Sequence, residues 1–256
     1  MISKNQVKHI TSLHHKKNRE KERLFIVEGV KMMDELLKSS CEVHSVYALE
    51  EWVVENALIL ENKEFELTTI SAATLEKIST LTTPQKVLAL VNMPDYEIKI
   101  DALEDSLSLV LDDVSDPGNL GTIIRVADWF GIRHIVCSEN TVELYNPKVV
   151  QATMGSLFRV MVHHQPIANI LKANKNTVQL PVYAAVMGGE SIYTAELKKK
   201  GLIIFGNESM GIKRDLFHYV DHTLTIPSFS TGSDYAESLN VAIAAAVVCS
   251  EFRRRR

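Results

Sequence analysis

Cysteine is scarce in this chain and badly placed for any framework. The 256 residues hold three, Cys41, Cys137 and Cys249, an odd number at wide spacing with no C-x-x-C and no Cys/His ligand pattern. That argues against a disulfide scaffold and a structural metal, and it favours reduced thiols in a cytosol. Long apolar runs are also missing. The longest, Val241–Cys249, is nine residues, far short of the ~20 that a membrane-crossing helix needs. The opening Met1-Ile2-Ser3-Lys4-Asn5-Gln6 carries no apolar run of its own, so no secretory signal is expected. The eleven glycines form neither G-x-G-x-x-G nor Gly-Lys-Ser/Thr. A nucleotide-dependent oxidoreductase and a phosphate-loop NTPase thereby lose their signatures. What remains is a globular protein expected in the cytoplasm, at 46% hydrophobic and 23% charged residues.

The net charge of −4 conceals an uneven distribution. Residues 1–23 place Lys4, Lys8, Lys16, Lys17, Arg19, Lys21 and Arg23 against Glu20 and Glu22, a surplus of +5, and Arg253–Arg256 add +4. The rest of the chain therefore carries −13. An acidic body with basic ends does not fit DNA wrapping. The N-terminal segment is the stronger candidate for holding phosphates, whereas solvated charge explains the Arg tail at least as well.

Residues 24–91 pattern as a small α/β unit. Phe25-Ile26-Val27 is a strand, Val30, Met33, Leu36 and Leu37 mark a helix face, and Val43–Ala48 alternates like a strand. A helix over 74–81 and a strand over 87–91 complete it. Between Asn92 and Asp105 the composition turns polar and acidic, which marks a linker over 92–105. From Ser106 to Arg256, branched apolar strands (107–111, 134–137, 182–186, 202–205, 224–226) alternate with helical stretches (119–130, 146–158, 211–219, 237–252). This is the pattern of an α/β fold with a largely parallel sheet covered on both faces. His14, His15, His163 and His164 lie in polar stretches and are expected at the surface.

Three segments carry the chemistry. In Leu111-Asp112-Asp113-Val114-Ser115-Asp116-Pro117-Gly118-Asn119, a strand breaks into a helix, with Asn119 where a cap belongs and Arg125 further along. Asp112 and Asp113 form a carboxylate pair that a turn explains equally well. In Phe205-Gly206-Asn207-Glu208-Ser209-Met210-Gly211, a buried strand ends in glycine, so that backbone can approach a ligand closely. In Ile226-Pro227 and Ser238-Leu239-Asn240-Val241, a loop leads to a helix that is apolar nearly all round. Such a helix is buried in a core or a subunit interface. Ser238 is a plausible cap for it.

Together these segments resemble the SpoU (TrmH) family of RNA ribose 2′-O-methyltransferases in the SPOUT superfamily. Asn119 with Arg125 is similar to its first motif, Phe205–Gly211 to its second, and Ile226-Pro227 with Ser238–Val241 to its third. Asn146-Pro147-Lys148 through Arg159 resembles the segment between the first two. More loosely, Phe25–Gly29 with Thr83-Pro84-Gln85 resembles the family's substrate-binding domain. The resemblance implies an RNA-binding domain over 1–91 and a methyltransferase domain over 106–256 with a trefoil knot and a dimer interface. It also implies S-adenosyl-L-methionine as cofactor, no metal, and an RNA ribose as acceptor. Gly206, Ile226 and Leu239 would surround the adenosyl group, and Asn119, Arg125, Glu208, Ser238 and Asn240 would form the catalytic set.

The chemistry suits those residue types. A ribose hydroxyl must lose its proton as it attacks, and a guanidinium with a pKa above ~12 is a poor base. Arg125 is better placed as a bidentate clamp on the phosphate beside the ribose. Ribosomal RNA is favoured over transfer RNA by analogy, because of the separate N-terminal domain. Two departures bear on the cofactor pocket: the 228–237 loop is longer than the family's usual connection, and Ala242 stands where many members have Ser. The rival expectation is a catalytically silent RNA-binding dimer of the same fold.

Overall fold

The structure is a computed structural model that describes residues 2–61, 63–94, 98–230 and 236–254. It divides into two compact units. One comprises Met1–Asp95 with Glu143–Phe158, the other Tyr96–Val142 with Arg159–Arg256.

The first unit follows the order α1 (Lys4–Ser12), α2 (Lys16–Glu22), β1 (Leu24–Glu28), α3 (Val30–Leu37), β2 (Val43–Ala48), α4 (Glu50–Glu55), α5 (Ala57–Leu60), β3 (Glu66–Thr69), α6 (Ala72–Ile78) and β4 (Val87–Asn92). Its sheet runs β1-β4-β2-β3, antiparallel except for the β2/β3 pair. Side chains alternate along a strand, so β1 sends Phe25 and Val27 to one face, with Leu24 and Ile26 to the other. The first face packs against Met32, Met33 and Leu36 of α3 and against Trp52. The second packs against Ile10 and Leu13 at the N-terminus and Leu75 and Ile78 of α6. Two covered faces explain why β1 and most of β4 are apolar without a break. The helix expected over 74–81 runs from Ala72 to Ile78. Ser71 caps its start through Thr74 N, and Ser79 ends it by donating to the buried Glu28 carboxylate.

The second unit is built on β5 (Leu107–Leu111), α7 (Pro117–Trp129) and β6 (His134–Cys137). The chain then contributes α8 (Pro147–Ala152) to the first unit and resumes as β7 (Met161–His164), α9 (Ile167–Asn176), β8 (Val182–Ser191), β9 (Gly201–Phe205), β10 (His222–Thr225) and α10 (Val241–Arg254). Its six strands are all parallel, in the order β10-β8-β9-β5-β6-β7. The central strands β5 and β9 are buried at every position, as expected with helices on both faces. Among the described residues no helix is long and apolar enough to cross a membrane.

Glu143–Phe158 packs with the first unit: Val150 is 1% exposed in the core formed by Phe25, Met32 and Trp52. Several expectations for individual elements and residues need correction. The helix over 146–158 stops at Ala152 because Met154 and Gly155 adopt φ of 51° and 92°, and a short 3-10 turn, Ser156–Phe158, follows. The helix over 211–219 is a 3-10 turn, Arg214–Tyr219. His163 is buried at 4% rather than exposed, since β7 is a paired strand and its ring stacks on His134. Arg19 leaves the basic N-terminal patch: it is 2% exposed, pairs with Glu143, and donates to the Leu13 and His14 carbonyls. Arg253 caps α7 through the Phe130 and Gly131 carbonyls, and Arg254 pairs with Glu251. The remaining tail, Arg255 and Arg256, lies outside the described residues.

Candidate active site

In the second unit, β5 connects through α7 to β6 on one side, while β9 lies on its other side. The loops at the C-terminal ends of β5 and β9 therefore diverge at a topological switch point, where open α/β sheets bind ligands. At the end of β5, Asp112 N still donates to Phe205 O at 2.9 Å, so the two strands stay paired up to their loops.

The first loop begins α7 earlier than the sequence suggests. Asp116 is the cap, accepting from Asn119 N at 2.8 Å, and Pro117 occupies the first turn, where its missing N–H costs nothing. Asn119 is thus inside the first turn with its own side chain unspent. That side chain donates from Nδ2 to Glu208 Oε1 at 2.7 Å, and its Oδ1 accepts from Asn240 Nδ2 at 2.8 Å. Glu208 Oε2 stands 3.5 Å from Ser115 Oγ and 3.5 Å from Asn207 Nδ2. One carboxylate oxygen is firmly held and the other loosely. Three of the sequence candidates, Asn119, Glu208 and Asn240, thus form one hydrogen-bonded chain drawn from three segments.

Asn240 also caps α10. Its Oδ1 accepts from Ala242 N at 2.9 Å and Ile243 N at 3.3 Å, the bonding expected of Asn at that position. Ser238 does not fill this role. It borders a cleft of about 630 Å³ together with Gly206, Glu208, Ile226 and Leu239. The three residues expected around an adenosyl group therefore share one wall system with two of the catalytic candidates. Gly206 is dictated by packing, because a Cβ there would lie 2.2 Å from the Gly211 carbonyl carbon. Ala242 is 3% exposed and does not border the cleft. Of the 228–237 loop, residues 231–235 lie outside the described residues.

Arg125 is separate from this chain of bonds. It stands exposed on α7 and forms no hydrogen bond or ion pair among the described residues. Six residues on a helix correspond to about 9 Å of rise and well over a full turn, so Arg125 and Asn119 face different directions.

Sequence reasoning undervalued the Asp112–Asp113 pair and missed Lys213. Asp112 is 1% exposed and accepts from Lys213 N at 2.8 Å. Lys213 Nζ lies 3.3 Å from Asp112 Oδ1 and 2.8 Å from Asp113 Oδ2. Burial works to raise the Asp113 carboxyl, but hydrogen bonds from Lys213, Ser138 and Asn140 outweigh it and hold the group below its ordinary value. The same Asp113 bond holds the Lys213 ammonium above its ordinary value. A carboxylate pair in sequence was the available signal, but its cation lies a hundred residues away.

A parallel sheet with a polar cluster and a cleft at its strand ends defines an enzyme-like α/β domain. The chain belongs to the SpoU rRNA Methylase family, which it matches over residues 106–250, and residues 4–89 match the MRM3-like substrate binding domain. It is 29% identical over 252 residues to the Bacillus subtilis 23S rRNA (guanosine(2553)-2′-O)-methyltransferase RlmP, covering 98% of this chain and 97% of that protein. A TrmH-family structure from Porphyromonas gingivalis is 36% identical, with a TM-score of 0.87 and full coverage of both chains. An AdoMet-bound rRNA methyltransferase from Sinorhizobium meliloti is 26% identical, with a TM-score of 0.86 over 100% of this chain and 97% of that one.

Proposed function

We propose that this protein transfers a methyl group from S-adenosylmethionine to a ribose 2′-hydroxyl of ribosomal RNA. The observation that carries the reading is the cleft beside Gly206, with the Glu208 carboxylate on its wall and the Asn119–Asn240 pair holding that carboxylate. The pocket's size falls in the range that encloses a nucleoside-sized ligand. Ile226 and Leu239 supply apolar contact, and Glu208 supplies the charge opposite to a sulfonium. The cofactor would bring a methyl group already activated by its sulfonium.

The chain's own residues would then position and deprotonate. Arg125, uncommitted within the fold, clamps the phosphate beside the target ribose; alignment of that kind is worth several kcal/mol of barrier. Glu208 Oε2, the loosely held oxygen, accepts the hydroxyl proton, while Asn119 fixes Oε1. Ser238, on the cleft wall, contacts the cofactor or the ribose. The N-terminal domain, residues 1–91, binds RNA through the exposed Lys4, Lys8, Lys16, Lys17 and Lys21, and residues 92–105 link it to the catalytic domain. The protein acts in the cytoplasm as a homodimer with a C-terminal trefoil knot. Exposed Trp129 on α7 and Ile243 on α10, two helices that pack together, support the dimer.

The test is calorimetric titration with S-adenosylmethionine and S-adenosylhomocysteine, followed by methyl transfer to ribosomal RNA. We expect one saturable site per chain. Arg125→Ala should cut kcat by ~10²-fold at unchanged cofactor affinity, the scale of a lost positioning contact. Absence of cofactor binding with RNA present would favour the catalytically silent RNA-binding dimer.

A further inference from the structure

We infer that Asp112, Asp113 and Lys213 form a charged latch that sets the shape of the cofactor loop, making all three positioning residues for the reaction. The inference rests on the cofactor pocket proposed above.

The loop in question runs from Gly206 to Ile212 and supplies Gly206, Glu208 and Ser209 to the cleft. Within itself it is closed by a reciprocal pair of backbone bonds between Asn207 and Gly211, both 3.0 Å. The Asn207 side chain accepts from Ser209 N and Met210 N at 2.9 and 3.0 Å. These bonds fold the loop but do not fix it to the sheet. Its attachment to the end of β5 is made elsewhere, at both of its ends. At the entry, Asn207 Nδ2 donates to the Asp113 carbonyl at 2.8 Å. At the exit, Lys213 gives its backbone N–H to Asp112 and its ammonium to both carboxylates. Neither aspartate nor Lys213 borders the cleft, so their influence on a bound cofactor runs through the loop.

The receiving side is itself braced. Asp113 adopts φ of 57°, a left-handed conformation uncommon for a residue with a side chain. Ser138 Oγ holds it there from both directions, accepting from Asp113 N at 2.8 Å and donating to Asp113 Oδ1 at 2.6 Å. That conformation turns the Asp113 carbonyl toward Asn207 and its carboxylate toward Lys213 at once. Two carboxylates share one ammonium, and Asp112 is buried. Removing the cation would leave two neighbouring negative charges, one without access to water, which is unfavourable. The loop exit is where that repulsion could be relieved, by displacement of residue 213 and with it of Gly211 and Ile212.

The experiment compares wild type, Lys213→Met, Asp113→Asn and the Lys213→Met/Asp113→Asn pair in the full-length protein. The readouts are S-adenosylhomocysteine affinity by calorimetry, KM and kcat for methyl transfer, amide exchange of residues 206–213 and thermal melting. We expect Lys213→Met to weaken S-adenosylhomocysteine at least tenfold and to raise the cofactor KM, with kcat at saturation within threefold of wild type. Exchange should quicken over 206–213 alone. The double variant should recover most of the affinity, because it removes one of the two unneutralised carboxylates. Wild-type affinity in Lys213→Met, or a double variant no better than the single one, overturns the latch. If Lys213→Met lowers the melting temperature globally, Asp113→Asn, titrated well below its own melting temperature, decides: loosened binding supports the latch, and unchanged binding overturns it. A wild type that fails to bind S-adenosylhomocysteine would instead refute the cofactor reading itself.

Discussion

The Asn119 side chain can bridge Glu208 and Asn240 because a neighbour took over its capping duty. Had Asn119 been the cap, its Oδ1 would be committed to a backbone N–H, and Asn240 Nδ2 would lose its acceptor. Asp116→Ala should therefore act twice. It should cost about 1 kcal/mol of stability as a lost cap, read by denaturant unfolding, and it should lower kcat by loosening the first turn of α7, which aims Asn119 at Glu208. Gly206→Ala is more drastic, since its Cβ would overlap backbone rather than a movable side chain; we expect cofactor binding below detection by calorimetry. Charge linkage at this scale has a defined sign. The lowered Asp113 pKa contributes stability above the ordinary carboxylate range, which is lost as pH falls through the folded value. The raised Lys213 pKa contributes below the ordinary lysine range and is lost as pH climbs through its folded value. The melting-temperature difference between wild type and Asp113→Asn should be flat from about pH 5 to 9 and shrink below about pH 4. A gap that widened in acid would refute that assignment.

At the scale of elements, the strands of both sheets were legible wherever branched residues run without interruption, and their ends fell within a residue or two except at β8, which runs on past 186 to Ser191. The helices were less so, for reasons that are local. A helix over 211–219 was expected from spacing, but Gly211 takes φ of 69° and Lys213 N is bound by Asp112, so only a 3-10 turn remains. Composition pointed to Ser238 as the cap of the last helix. The structure gives the cap to Asn240, whose amide nitrogen still serves Asn119. Glycine, left-handed backbone and distant partners decide such cases, and none of these shows in a pattern of apolar spacing. β7 was missed because two histidines made His163-His164 look polar, although one ring is buried against His134. The three site segments were legible as motifs, yet their bonding to one another was not.

The two units of the whole molecule differ in what their isolation would do. Residues 2–94 alone would lack Val150, which is 1% exposed in the core around Trp52, and Glu143, the partner of buried Arg19. Removing the partner of a buried charge typically costs about 3–5 kcal/mol, a large share of a small domain's stability. The fragment should melt well below the same fragment supplied with a peptide of residues 143–158, and circular dichroism with and without that peptide would show it. Equal melting would mean the segment is dispensable. Glu143→Ala in the full chain should show the same loss in miniature, followed by the unfolding midpoint.

That discontinuity bears on how such a protein can diversify. A recognition domain is often treated as a cassette, exchanged by cutting once in a linker. Here a cut at 92–105 would graft a new head onto a body that still carries the plug for the old one. A chimaera would therefore need a matched second exchange at 143–158 to be stable, and lineages that changed their N-terminal unit should have changed both stretches together. The inherited recognition module is two pieces of one chain, and recombination at a single point cannot move it.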